Sequence, residues 1–323
     1  MKAPLPLRLA ESGFRAAVCC VVPLAIVAAS CGARSALEVP CSSVMEPEPA
    51  SVMAILDHTS LASDRGLPGE RSRFEAQLAA LEVTFRVLQG AASIGAAITN
   101  NNDRVVDSEV VQCRGLPPAI LLARGTPLAD ITAAYRSVSN WQPFRLAYIV
   151  ELALPEVRRG TPPTAGRFLI FFSHGYYCAQ DPAPVARAAA DGVPTLVIGM
   201  PISAPRAGDL AGRTAVAGGL ASLGGPQRFV DGYDTAAVGA SVARAVLPSY
   251  YCRGTLRRPA GAAGTPTVTA DGGGAIAHDP ARRAGWDWRD PSQGAIEVFG
   301  PACDDLVRRR AGVTATFAQR CVE

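Results

Sequence analysis

Uninterrupted runs of large apolar residues recur through the first two thirds of the chain. The most pronounced is Phe168–Phe172, which is followed at once by the polar pair Ser173 and His174. A second run, Ser51–Leu56, ends in Asp57. Short runs of this kind, bounded by turn signals, are typical of strands buried on both faces, as in a parallel sheet covered by helices. The pattern therefore predicts two central strands that end in polar residues.

Segments with helical periodicity separate these runs. Two helices are predicted to begin at Leu128 and after the capping residue Asp234. Strands thus alternate with helices over 51–250, which predicts an α/β fold with a doubly wound, mostly parallel sheet and helices on both faces. The clearest helix is Arg71–Leu88, in which apolar residues recur at spacings of three and four: Phe74, Leu78, Leu81, Phe85 and Leu88.

The pattern changes at residue 251. Glycine and proline are dense from there on, and Asp271-Gly272 lies between two short β-prone runs, which is a hairpin signal. We therefore expect 251–323 to form a small β-rich module. Trp286 and Trp288 would share one face of a strand in it, where they fill its core or, alternatively, form a carbohydrate-binding platform.

The first 30 residues have the features of a secretory signal. Basic residues precede Ala16–Ala29, an apolar run that is too short to cross a bilayer, which needs about 20 residues. The following Ala28–Cys31 resembles a bacterial lipobox, which implies that Cys31 is lipidated and anchors the chain to a membrane. Cleavage without lipidation is the alternative. Residues 31–50 are then the anchor and a tether, with Ser42–Pro49 extended and exposed.

The lipobox resemblance also indicates a location. Gly32 stands where an aspartate would retain a lipoprotein at the inner membrane, so we expect the outer membrane. The sequence leaves open whether the chain faces the periplasm or the outside.

Cysteine usage fits an exported protein. Of 9 cysteines, two lie in the signal and Cys31 is assigned to lipid. Six remain, which predicts disulfides, and none has the CxxC spacing of a zinc site. The preferred pairs are Cys303–Cys321, Cys113–Cys178 and Cys41–Cys252.

Charge excludes one class of partner. The net charge is +3 at pH 7, and it is spread along the chain without a basic block. A nucleic-acid partner is therefore not expected.

The order of elements over Ser51–Ser249 resembles a von Willebrand factor type A domain, in the version found in exported bacterial lipoproteins. The resemblance implies a metal-ion-dependent adhesion site at the carboxyl edge of the sheet. There, oxygen ligands from three loops hold Mg²⁺, and a carboxylate of a partner protein completes its coordination.

Carried over residue by residue, the resemblance places Asp57 and Thr59 in the first loop and Thr126 in the second. Leu61 stands where a second hydroxyl is expected, and His174 where the third loop has an aspartate. Leucine offers no ligand atom, and imidazole nitrogen suits softer metals than Mg²⁺. The metal site is therefore predicted to be degenerate, with Asp57 a strand-end carboxylate capped by loop amides and His174 satisfied by hydrogen bonds. Residual Mg²⁺ binding is the alternative.

The resulting functional hypothesis is a non-catalytic cell-envelope lipoprotein that binds an unidentified protein or serves as a scaffold, without a cofactor. The alternatives are an enzyme or a solute-binding lipoprotein on an α/β sheet. An α/β hydrolase would need a Gly-x-Ser-x-Gly turn, and the nearest imitation, Gly239–Ala243, lies within a helical pattern. Neither GxGxxG nor a P-loop follows a strand. A solute-binding lipoprotein would need two similar lobes, and only one is evident.

Overall fold

A computed structural model describes residues 40–58, 72–99, 119–138, 146–162, 164–174, 181–200, 205–257 and 264–320. Residues Val39–Glu323 form one compact unit. The predicted signal and Cys31 lie outside the described residues. Within them, no helix has both the length and the apolar character that crossing a membrane requires.

The described strands are β1 (Pro40–Pro47), β2 (Ala50–Leu56), β3 (Ala92–Thr99), β4 (Ala119–Leu122), β5 (Arg167–Ser173), β6 (Thr195–Gly199), β7 (Val230–Asp231), β8 (Arg253–Leu256), β9 (Thr267–Ala270), β10 (Ala275–Ile276), β11 (Gly285–Asp290), β12 (Ala295–Phe299) and β13 (Val313–Arg320). The described α-helices are α1 (Arg73–Leu88), α2 (Leu128–Ser137), α3 (Leu146–Arg158), α4 (Ala183–Ala190), α5 (Pro205–Ala217), α6 (Thr235–Tyr251) and α7 (Gly300–Arg309), and a 3-10 helix covers Ala221–Gln227.

The first sheet is the predicted α/β sheet, with strand order β4-β3-β2-β5-β6-β7. All of its neighbours are parallel except β4, which pairs antiparallel with β3 at one edge. Strands β2 and β5 lie at its centre, and Phe168–Phe172 is buried as its uninterrupted apolar pattern predicts.

Helices cover both faces of this sheet. Val52 and Phe172 point to the side of α1, α2 and α6, whereas Met53 and Phe171 point to the side of α3, α4 and α5. Successive residues of a strand face opposite sides, so a strand buried on both must be apolar throughout. The predicted doubly wound α/β architecture is confirmed.

Local signals set the helix starts. Ser72 accepts a hydrogen bond from the amide of Glu75, and the Glu75 side chain accepts one from the amide of Ser72. This capping box satisfies two of the amides that the first turn leaves without partners. Asp234 caps α6 by accepting hydrogen bonds from the amides of Ala236 and Ala237.

The second sheet is antiparallel, with strand order β10-β9-β13-β1-β8-β12-β11. It contains the predicted hairpin, because β9 and β10 pair across Asp271-Gly272. Trp286 fills its core, is 1% exposed and packs edge-on against Trp288 at 5.4 Å. Core filling therefore describes Trp286 correctly.

One prediction about this region is wrong. Ser42–Pro49 is not a tether, because Pro40–Pro47 forms β1, which pairs with β13 and β8. Its buried Cys41, Ser43 and Met45 alternate with exposed residues, a strand period that the prolines and glutamates of this segment obscure. The module also contains a helix, α7, whose buried side includes Leu306.

The preferred disulfide pairing is also corrected. Cys252, at the end of α6, is bonded to Cys303 of α7, with a Cα–Cα distance of 5.4 Å. The pairs Cys303–Cys321 and Cys41–Cys252 are therefore wrong, since the short loop that favoured the first is less decisive than the packing of α7 beside the end of α6. Cys41 is disulfide-bonded as well. Cys113, Cys178 and Cys321 lie outside the described residues.

Candidate functional site: the carboxyl edge of the parallel sheet

Asp57 and His174 meet because β2 and β5 are parallel neighbours that end at the same edge. The amide of His174 donates to Oδ2 of Asp57 at 3.0 Å, and the amide of Asp57 donates to the carbonyl of Phe172 at 3.1 Å. Both side chains are fully buried. The Asp57 carboxylate is thus a strand-end group that accepts from a loop amide.

The imidazole of His174 is neutral at physiological pH. Burial is the main cause that lowers the pKa of His174 from 6.5 to about 3, and the Arg73 charge and His58 lower it further. Its Nδ1 lies 4.0 Å from Oδ1 of Asp57, too far for a hydrogen bond. Neither ring nitrogen has a hydrogen-bond partner within the described residues, contrary to the expectation of a satisfied histidine.

Tyr135 of α2 closes one side of this pair. Its hydroxyl lies 3.2 Å from the backbone oxygen of Asp57 and 3.0 Å from Oε1 of Gln77, two acceptors that share its proton. Burial, with a smaller contribution from the Asp57 charge, raises the pKa of Tyr135 well above its usual value. The phenol therefore acts as a hydrogen-bond donor here.

An aromatic cluster surrounds that phenol. The rings of Phe74 and Tyr135 are stacked with centroids 4.9 Å apart, and the His58 ring meets Tyr135 edge-on at the same distance. The amide of His58 donates to Oγ1 of Thr99 at 2.8 Å. The cluster fixes the chain on the carboxyl side of Asp57.

Arg73, Gln77 and Tyr135 are not among the residues singled out from the sequence. Arg73 and Gln77 are four apart on α1, are 8% and 1% exposed, and share its buried side with Leu81. A long polar side chain on an otherwise apolar helix face is seldom buried without a partner. The position of Arg73 and Gln77 on that face was therefore the signal in the sequence that could have found them. Nothing in the spacing marks Tyr135 as other than a core residue.

Thr126 does not belong to this site. Strand β4 runs antiparallel to β3, so it leads the chain back to the amino edge, where the amide of Gly125 donates to the carbonyl of Ile94. That is five residues before the level of Asp57, or roughly 15–20 Å along the sheet. The Thr126 hydroxyl donates to the carbonyl of Ala123 instead. Thr59 and Leu61 lie outside the described residues.

The described donors do not fit a magnesium ion. Mg²⁺ requires near-octahedral oxygen coordination, whereas Asp57 already accepts an amide and its neighbour is an imidazole. No group of three or more His, Cys, Asp or Glu residues within the described ranges is arranged to hold a metal. The charges that act on His174 come from Arg73 and His58, side chains of the protein itself.

The topology of the sheet decides the fold. Five parallel strands with an antiparallel edge strand beside β3, helices on both faces, and Asp57 at the carboxyl end of β2 agree with the doubly wound, mostly parallel sheet that the sequence predicts. The α/β portion has a von Willebrand factor type A fold.

Solved structures of von Willebrand factor A proteins are similar to this chain. BatB from Bacteroides thetaiotaomicron is 16% identical over 49% of this chain and 73% of its own, with a TM-score of 0.34. A von Willebrand factor type A protein from Catenulispora acidiphila is 14% identical over 84% and 57%, with a TM-score of 0.42. At such identities and TM-scores the likeness says nothing about the function of this chain. No family model matches the chain, and no curated protein matches it.

Proposed function

We propose that this chain is a non-catalytic cell-envelope module that binds a protein partner at the carboxyl edge of its von Willebrand factor A sheet without a metal ion. The observation that carries the proposal is the Asp57–His174 pair, in which an amide and a neutral imidazole stand where a metal would need oxygen ligands.

The electrostatics of the edge support the metal-free part. A carboxylate removed from water requires hydrogen bonds or a counter-charge. Asp57 receives the amide of His174, and the nearly buried Arg73 places a positive charge close enough to lower the pKa of the adjacent imidazole. Mg²⁺ would add a second cation beside that guanidinium, which Coulomb repulsion disfavours.

The contact surface is proposed to include Tyr233. This residue follows β7, which is parallel to β6, and therefore lies at the same carboxyl edge as Asp57. Its side chain is 38% exposed. Exposed tyrosines carry a disproportionate share of binding energy at protein interfaces. The half-buried His58 lies at the same edge.

The envelope location and the anchor rest on the secretory signal and the lipobox resemblance at Cys31. Together they support a location at a membrane surface. The partner is then a protein of the same envelope compartment.

Crosslinking and pulldown of the intact lipoprotein from its native membrane tests this function. We expect capture of a specific protein, undiminished by EDTA and reduced by Tyr233→Ala. Val216→Ala is the matched control, since Val216 is 51% exposed near the end of α5, at the opposite edge of the sheet. Capture that EDTA abolishes would contradict metal-free binding. Equal capture by both variants would show that the partner binds at a surface that does not include Tyr233.

A further inference from the structure

A cavity of about 420 Å³ lies at the amino edge of the parallel sheet, away from Asp57. One wall is the start of β5, including Arg167, and another is the end of α6 with Ser249. The antiparallel sheet forms a third wall with Arg253, Glu297 and Arg289. Its size is within the range of small-molecule sites.

The charges that line this cavity do not balance. It has three arginines and one glutamate. Arg253 is paired with that glutamate, because its Nε lies 2.5 Å from Oε1 of Glu297. Within the described residues, Arg167 and Arg289 have no carboxylate partner and donate to backbone carbonyls, those of Thr161 at 2.6 Å and Thr164 at 2.9 Å.

Arg167 has a further unused donor. Its Nε is buried and has no hydrogen-bond partner within the described residues. A buried donor without an acceptor costs free energy, so a site that keeps one in a charged group is incomplete as it stands. Arg167 also lines the cavity, so an anion bound there adds an acceptor close to this residue.

We infer that this cavity binds a small organic anion through Arg167 and Arg289. Guanidinium groups present planar forks of N–H donors that match carboxylate and phosphate oxygens, and charge-assisted hydrogen bonds of this kind are among the strongest. The volume exceeds what a bare ion needs, which favours a molecule that carries such a group on a small carbon skeleton.

The test is a thermal-unfolding titration of the full mature chain with succinate and with inorganic phosphate, each against chloride at equal ionic strength. We expect a saturable rise of several degrees in Tm for at least one of the two, because a ligand that binds only the folded state stabilises it. The preferred probe shows whether a carboxylate or a phosphate is recognised.

Variants assign the effect to the cavity. Arg167→Gln and Arg289→Gln should each weaken the apparent affinity at least tenfold, whereas Arg136→Gln, an exposed arginine of α2, should leave it unchanged. Arg289→Lys keeps the charge but loses the fork, so it should also bind more weakly. It serves as the test if a glutamine variant does not fold.

Two results would overturn the inference. One is a Tm response to both anions no larger than that to chloride. The other is a saturable response that persists unchanged in the Arg167 and Arg289 variants, which would leave both arginines as donors to backbone carbonyls only.

Discussion

The backbone amide of His174 donates a hydrogen bond of 3.0 Å to Oδ2 of Asp57, although 117 residues separate the two in the chain. This bond joins the residue that follows β5 to the residue that follows β2, and it holds the imidazole in the protein interior. His174 thereby occupies the centre of the carboxyl edge as a neutral, fully buried group. The acid stability of the protein should depend on this arrangement.

Because of His174, the free energy of unfolding should decrease as the pH falls from about 6.5 towards 3. Its pKa is lowered to about 3 in the folded protein and returns to about 6.5 on unfolding, so the unfolded state binds the extra proton in this window. The difference corresponds to about 4–5 kcal/mol. Denaturant unfolding at several pH values should give a free energy of unfolding that slopes with pH in the wild type. Most of this slope should be lost in His174→Asn.

The matched control for that experiment is His278→Asn. His278 lies in the antiparallel sheet, 3.2 Å from Asp287, with a side chain 34% exposed. The slope should survive this substitution. A slope that His278→Asn removes and His174→Asn retains would refute the assignment.

Removing the Tyr135 hydroxyl should destabilise the fold by about 1 kcal/mol in Tyr135→Phe, the typical net contribution of a buried hydrogen bond. The loss leaves the backbone oxygen of Asp57 and the Gln77 amide without that donor. Tyr250→Phe is the comparison, since no hydrogen bond of its hydroxyl is seen within the described residues. Equal free energies of unfolding for the two variants would contradict a linking role for Tyr135.

The covalent link between α6 and α7 is testable by peptide mapping. A nonreduced digest should contain Cys252 joined to Cys303, and replacing both by serine should cost about 2–4 kcal/mol. Recovery of Cys303 joined to Cys321 would restore the pairing that the chain spacing favoured. A double variant with unchanged stability would show that the helices hold together without the bond.

Lipidation of Cys31 is tested at the mature N-terminus. Mass spectrometry of the membrane-extracted protein should find an acylated cysteine as the first residue. An unmodified N-terminus, on either side of Cys31, would mean that the chain is exported without a lipid anchor.

The parallel sheet follows from the sequence because its strands are buried on both faces. Phe168–Phe172 can satisfy that environment only as an apolar run, and Arg73–Leu88 shows the period of a half-buried helix. The edge elements carry weaker signals. Strand β1 includes two prolines, and α7 begins at Gly300-Pro301 after a strand, so both resemble loops.

The site was predictable only where residues sit directly on strand ends. Asp57 and His174 follow β2 and β5, and parallel strands bring their carboxyl ends together. The placement of Thr126 failed because β4 reverses direction, which chain order does not reveal. Arg73 and Tyr135 reach the site from helices. Tertiary packing decides which side of each helix faces the site, and the sequence pattern does not reveal this.

The central claim is that the carboxyl edge binds no metal ion, and thermal unfolding in millimolar Mg²⁺ against EDTA tests it most directly. A ligand present at one hundred times its Kd would stabilise the fold by about 2.7 kcal/mol. We predict the same Tm in both solutions, for the wild type and for His174→Asn alike. A saturable rise in Tm with Mg²⁺ in the wild type, lost in Asp57→Asn, would contradict the account.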